Sequence, residues 1–268
     1  MVSGRMRLLT FSLRWCGLAA AAAVLSAAEP AVGTEGPAEA DPLAGVPAPL
    51  AEAIRKFGQN AEHWACTQHE VTTNKAGRVT EDRLVRYDPS LPYDRQWTLL
   101  KKNGRDATAR QVQAFRRDKE KHLQDRKTLG ELLEVAKGRL VADTLDGLTY
   151  EVPLSPQDND RLPPDKFEVL IRVSRQAQAF ESIEVRLREP LRVAVIGKVN
   201  RAGAVLTFTQ VDPRYPPAIT SGRGFGSGSI LFVPVSVSYE ITRTDFQRVK
   251  PWSDRFVVRP GPIKYLDF

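Results

Sequence analysis

The chain has 268 residues, 26% of them charged and 8% aromatic, with a formal net charge of +7 at neutral pH. That length suffices for one large hydrophobic core or two small ones. The basic excess is spread out with no block of like charges, which argues against a nucleic-acid-binding face, and two cysteines are too few for a disulfide scaffold.

Arg5, Arg7 and Arg14 form a positive stretch with no acidic residue before Glu29, and the apolar, alanine-rich run Trp15–Leu25 follows. The run closes on Ser26-Ala27-Ala28, the small residues a signal peptidase requires, so residues 1–28 are expected to be a secretory signal peptide cleaved before Glu29. The run is too short for a comfortable membrane span, which needs about 20 apolar residues. Arg14-Trp15 ahead of Cys16 is wrong for a lipobox, and there is no twin-arginine pair. Loss of the leader removes three arginines and leaves 36 basic against 32 acidic residues. Such an excess is compatible with membrane-peripheral attraction at most. Only Cys66 would remain, so no intramolecular disulfide is available, and the thiol is expected to be a small buried hydrophobe.

Residues 29–46 are rich in Ala, Pro, Gly and Glu and carry no aromatic side chain, the composition of a flexible tether. Residues 47–268 are expected to form a single domain. Leu50, Ile54 and Phe57 share one face at helical spacing, predicting a helix over Pro47–Ala61. Strand-like runs follow at Trp64–Thr67 and Glu70–Thr73. The turn signal Asn74-Lys75-Ala76-Gly77 then leads into Arg83–Tyr87, predicting a hairpin. Trp97–Leu100 is a further short strand ending at the turn Asn103-Gly104. Thr108–Lys127 predicts a charged helix with Val112, Phe115 and Leu123 as its apolar stripe, and Thr128 with Glu131 fits a capping box for a second short one. Acidic residues interleave with the basic ones there, as on a solvated face.

The remainder is strand. Arg139–Thr144 and Leu148–Leu154 flank Asp146-Gly147, a strong hairpin signal, and Pro153–Pro164 is expected to be a loop. Ile183, Val185 and Leu187 alternate with Glu184, Arg186 and Arg188, as in a strand with one wet face. Leu231, Val233, Val235, Val237, Tyr239 and Ile241 form one apolar stripe at period two, on which Pro234 is expected at an edge or bulge. Leu170, Ile196, Leu206, Phe208, Ile230 and Phe232 are taken to oppose that main stripe, so both sheet faces are expected to be apolar. Helices then cover the second face, or part of it lines a cavity. The fold class expected is α+β: a curved antiparallel sheet, an incomplete β-barrel, with helices packed on its concave side.

No catalytic motif is present. His63, Cys66 and His69 have the look of metal ligands, yet strand alternation puts Cys66 opposite the two histidines, and His122 lies on a separate helix. No metal site is therefore expected. Gly222-Arg223-Gly224-Phe225-Gly226-Ser227-Gly228 resembles a phosphate cradle, but a strand follows it where a helix would be needed, so it is expected to be a flexible inter-strand loop. There is no Gly-x-Ser-x-Gly elbow, and no spacing selects a carboxylate pair. No enzyme activity and no cofactor are expected.

Tyr87-Asp88-Pro89-Ser90, Trp97-Thr98-Leu99-Leu100 and Asn103-Gly104, with Thr244–Val249 near the end, resemble segments of a group of uncharacterised exported bacterial proteins. That likeness spans Pro47–Val249 and implies no activity. The order helix, strands, helices, long antiparallel strands is also similar to the lipoprotein-carrier (LolA/LolB-like) half-barrels, which shelter acyl chains. The function this implies is a periplasmic protein binding a lipid or other hydrophobic ligand. The alternative is an envelope interaction or scaffolding module using its edge strands or the glycine-rich segment.

Overall fold

The computed structural model describes residues 43–124, 129–156, 162–193, 197–231 and 233–255. The expected leader with Cys16, most of the expected tether, Thr128, Ile196, Phe232 and the side chains of His122 and Leu123 lie outside the described residues.

The described residues begin at the end of the expected tether, where Leu43 and Val46 pack against the larger core. Helix α1 (Ala48–Asn60) follows Pro47 and carries Pro49 in its first turn, where a missing N–H costs nothing. Leu50, Ala53 and Phe57, three and four residues apart, are buried, while Glu52 faces solvent between Arg55 and Lys56 at 3.7 Å each. Phe57 meets Phe180 and Phe208 with ring centroids 5.7 Å away, and those two rings lie 5.4 Å apart.

The strands are β1 (Trp64–Asn74), β2 (Val79–Tyr87), β3 (Trp97–Lys102), β4 (Arg105–Asp106), β5 (Arg139–Asp143), β6 (Gly147–Glu151), β7 (Phe167–Ser174), β8 (Phe180–Leu187), β9 (Leu191–Val193), β10 (Gly197–Thr209), β11 (Ala218–Ile230) and β12 (Val233–Arg248). All pair antiparallel in one sheet of order β4-β3-β2-β1-β12-β11-β10-β8-β7-β6-β5, with β9 beside β10. The first and last strands, β1 and β12, join the two halves of the chain. Helix α2 (Ala109–Gln124) lies beside β3, and a single turn α3 (Leu129–Leu132) adds Leu129 to the core. The result is a mostly-sheet protein, a curved and unclosed antiparallel sheet with two short helices, in which the helical layer is smaller than the α+β class implies.

The turns follow the local chemistry. Asn74 Oδ1 accepts from the N–H groups of Ala76 and Arg78, and Gly77 takes φ +70°. Asn103 and Gly104 both have positive φ, as a tight hairpin turn requires. The β5–β6 hairpin forms, but its turn is Leu145-Asp146, one residue earlier than expected, because Thr144 N–H bonds to Gly147 O. Gly147 already belongs to β6, and a Cβ there would stand 3.0 Å from Val173 O.

Register settles which side chains share a face. Arg83, Glu70, Ile241, Gly222, Leu206, Ile183, Ile171 and Tyr150 stand opposite one another in a row crossing seven strand pairings. Successive members of such a row project to the same side of the sheet. Leu206 therefore continues the Ile183–Ile241 stripe and does not oppose it. Phe208, edge-on to Phe57, and Ile230, opposite Val233, belong to that side too. The expectation of two apolar faces is corrected by this register. Residue parity cannot be carried between strands without it, and β10 also bulges between Val199 and Arg201 and between Thr207 and Phe208. Of the six residues taken as opposing, Leu170 is on the other face, half-buried between Glu151 and Glu184. That outer face is ion-paired: Arg186 with Glu184 at 2.6 Å, Arg172 with Glu181 at 2.6 Å, and Glu151 with both Arg139 and Arg188.

Both helices cover the apolar side. α1 seals a core containing Leu50, Phe57, Ile171, Ile183 and Leu206, while Phe115 of α2 closes a smaller one with Val85, Trp97 and Leu99.

Candidate functional site

Beside the larger core, which takes Leu206 and Phe208 from β10 and Ile219 from β11, the sheet continues through the rest of β11 and β12 towards β1. The glycine-rich segment expected to be a loop is the middle of β11, and its physical basis is the alternation of a strand. Gly222, Gly224, Gly226 and Gly228 occupy every second position and share the helix-bearing face, while Arg223 and Phe225 point the other way. Opposite the last three stand Ala204, Ala202 and Val199 on β10, and Tyr239, Val237 and Val235 on β12. The glycine row is thus a strip of floor without side chains, between these two flanking rows.

Two of these glycines differ in what requires them. A Cβ at Gly222 would stand 3.0 Å from Leu206 Cδ2, so the packed core excludes a side chain there. A Cβ at Gly226 would meet nothing within 4 Å, so the chain's own packing leaves room above it. The flanking β12 stripe changes character along its length. Ile241 is 3% exposed, Val237 and Val235 are half-buried, and Val233 reaches 62%. The stripe expected to form one apolar face thus lines a trough that opens towards the β11–β12 turn, where Leu231 is 61% exposed at φ +49°. Pro234 lies in the part of β12 that pairs with β11 and extends beyond the register with β1, as an edge position predicts.

At its inner end the trough meets charge. Glu70 is 4% exposed, accepts a hydrogen bond from Gln68 Nε2 at 2.6 Å, and lies 3.6 Å from Arg83 and 3.7 Å from Lys119. Gln68 Oε1 in turn accepts from Arg243 Nε at 2.9 Å. Lys119 Nζ sits 4.6 Å from the centre of the Trp97 ring and 5.3 Å from that of Phe115. Burial pushes the Lys119 ammonium below the usual lysine range against the pull of Glu70. Burial, with the negative charge of Glu70, pushes the Tyr239 phenol well above its ordinary value. Burial opposes ionisation of Glu81, but hydrogen bonds from Arg83 and Lys102 outweigh it and hold the carboxyl low. Between α2 and the start of β3 a cleft of about 250 Å³ lies among Tyr93, Trp97, Gln113, Arg116, Lys119 and Glu120.

The residues weighed as metal ligands do not converge. His69 is exposed and 3.0 Å from Asp82, His63 faces Asp254 at 3.5 Å, and Cys66 is buried. Among the described residues no group of three or more His, Cys, Asp or Glu side chains could hold a metal ion. Burial raises the Cys66 thiol, which disfavours the nucleophilic thiolate. The buried Glu70 network was not legible beforehand. Its one signal is the acidic residue on an otherwise core-facing parity of β1.

No protein-family model matches this chain, and no curated protein matches it. Among solved structures, a DUF1329 family protein from Desulfovibrio piger aligns with 78% of this chain and 94% of its own, at 10% identity and a TM-score of 0.31. At that score no argument passes from one protein to the other, and the functional reading rests on the geometry above.

Proposed function

We propose that this is an exported, non-enzymatic periplasmic protein, a half-barrel whose helix-bearing hollow side receives an apolar ligand such as a lipid acyl chain. The observation that carries the reading is the unfilled space over Gly226, floored by small residues and walled by half-buried Val235 and Val237. Apolar surface left open beside a formed core is the usual mark of a binding region. The leader-like residues 1–28 support the compartment, and among the described residues no helix is long and apolar enough to cross a membrane. The test is native mass spectrometry and lipid extraction of full-length protein isolated from bacterial envelopes, beside a Gly226→Leu variant. The wild type is expected to carry lipid-mass species and the variant to lose most of them with an unchanged circular dichroism spectrum. Equal lipid content in the two, or none in the wild type, would overturn the reading.

One observation favours the alternative of an envelope interaction module. All five residues of the terminal strand β5 are exposed, with Leu140 at 46% and Val141 at 43%, so an added strand has an apolar edge to join. Val141→Pro blocks strand addition while leaving the trough untouched. Under this alternative it removes partner capture, whereas a ligand carrier keeps its cargo.

A further inference from the structure

A second site stands apart from the trough, where the C-terminal end of β12, the start of β1, the end of α1 and the β10–β11 turn meet. Trp64 and Arg248 are direct cross-strand partners. The Arg248 guanidinium lies 4.3 Å from the centre of the Tyr215 ring and 5.2 Å from that of Trp64, and the Trp64 ring stands edge-on to Tyr215 and Phe246. Asn60 fixes the fork by accepting from Arg248 Nη2 at 3.1 Å, while its own amide donates to Lys56 O at 2.9 Å. The guanidinium is thus held in place from several sides.

Its charge is nevertheless unanswered. Among the described residues no carboxylate lies within ion-pair distance of Arg248. The nearby Asp212 is committed to Arg214, through Nε at 3.1 Å, Nη2 at 2.7 Å and the backbone N–H at 3.0 Å. Among the described residues, Arg248 Nη1 and Trp64 Nε1 are buried without a hydrogen-bond partner, and Trp64 itself is only 6% exposed. Native proteins pair nearly all such buried polar atoms. The guanidinium and the indole can only donate, so what completes them must accept, and the arginine selects for negative charge.

We propose that Arg248 and Trp64 form a binding site for an oxyanion, a carboxylate or phosphate group, beside the guanidinium that the Trp64 and Tyr215 rings flank. The site is independent of the trough. The oxyanion arrives free or as the head of an amphiphile, and the same donors serve both.

The test follows the Trp64 indole N–H in 1H–15N spectra of the full chain, assigned as the peak missing in Trp64→Phe. Inorganic phosphate and acetate are titrated at constant ionic strength against chloride. A saturable shift with phosphate or acetate is expected, weakened roughly tenfold or more in Arg248→Gln, as for loss of a charge-assisted hydrogen bond. Gly226→Leu should leave this binding unchanged, which separates the site from the trough. A long-chain fatty acid binding much more tightly than acetate identifies an amphiphile head, and equal binding identifies a free anion. No saturable shift with either anion, or a shift that survives unchanged in Arg248→Gln, overturns the proposal. Tyr215→Leu provides a second variant that keeps both donors and is expected to weaken binding less than Arg248→Gln.

Discussion

Glu70 and Lys119 face each other at 3.7 Å between the sheet and α2, a carboxylate 4% exposed and an ammonium lodged over two aromatic rings. The two are not equivalent. Glu70 is the acceptor for Gln68 and the countercharge for Arg83 as well, so its loss strands several groups at once. Removing one partner of a buried ion pair costs about 3–5 kcal/mol because the other charge is left unpaired, and loss of Lys119 spares that cost because Arg83 stays beside Glu70. Glu70→Ala is therefore expected to lower unfolding free energy by about 3 kcal/mol or more. Lys119→Met, which keeps the stem over Trp97 and Phe115, should change it by about 1 kcal/mol or less. Urea denaturation of both variants checks the ranking.

Gly222 and Gly226 offer a sharper contrast, because they share a strand and a face. Gly222→Ala drives a methyl to 3.0 Å from Leu206 Cδ2 and is expected to cost about 1–3 kcal/mol by overpacking. Gly226→Ala meets open space and should be neutral or stabilise by up to about 1 kcal/mol, through the backbone entropy that glycine loses on folding. Thermal or urea unfolding of the pair decides it, and equal destabilisation would mean the space over Gly226 is filled.

Acid should weaken the fold in a defined window. Arg139 and Arg188 hold the Glu151 carboxyl below the usual range, Arg83 and Lys102 do so for Glu81 despite its burial, and Arg214 holds Asp212 down at about 2. The unfolded chain takes up protons on these carboxylates near their ordinary values while the folded chain does not. Their contribution is therefore fully present above about pH 4.5 and is lost as pH falls through the folded values towards about 2. Denaturant midpoints measured from pH 6 to pH 2 should fall along that course, and Arg188→Gln should flatten it by removing one donor to Glu151.

Much of the local structure was legible in the sequence. The stripe Leu50, Ile54 and Phe57 marked α1, Val112 and Phe115 marked α2, and Asn74–Gly77 and Asn103-Gly104 marked their hairpins, since each signal is set by neighbours within one turn. Pro234 was placed at an edge from its missing donor alone. The glycine-rich segment misled because glycine is a turn former by propensity. Its place in a 13-residue strand depends on partners on β10 and β12, to which it is joined by register and not by local preference.

By itself the sequence determined helix α1, the turns at Asn74–Gly77 and Asn103-Gly104, and the period-two stripe along β12, all properties of short windows of chain. Tertiary structure alone decided which strands share a face, that Leu206 and Phe208 join the main stripe, and that Glu70 meets Lys119 across a helix and a sheet. It also decided that Arg248 and Trp64, 184 positions apart, stand side by side with unanswered donors. The physical reason is register. Parity repeats every two residues within a strand, but one bulge or one changed pairing reverses its meaning for the next, and only the assembled sheet fixes that phase.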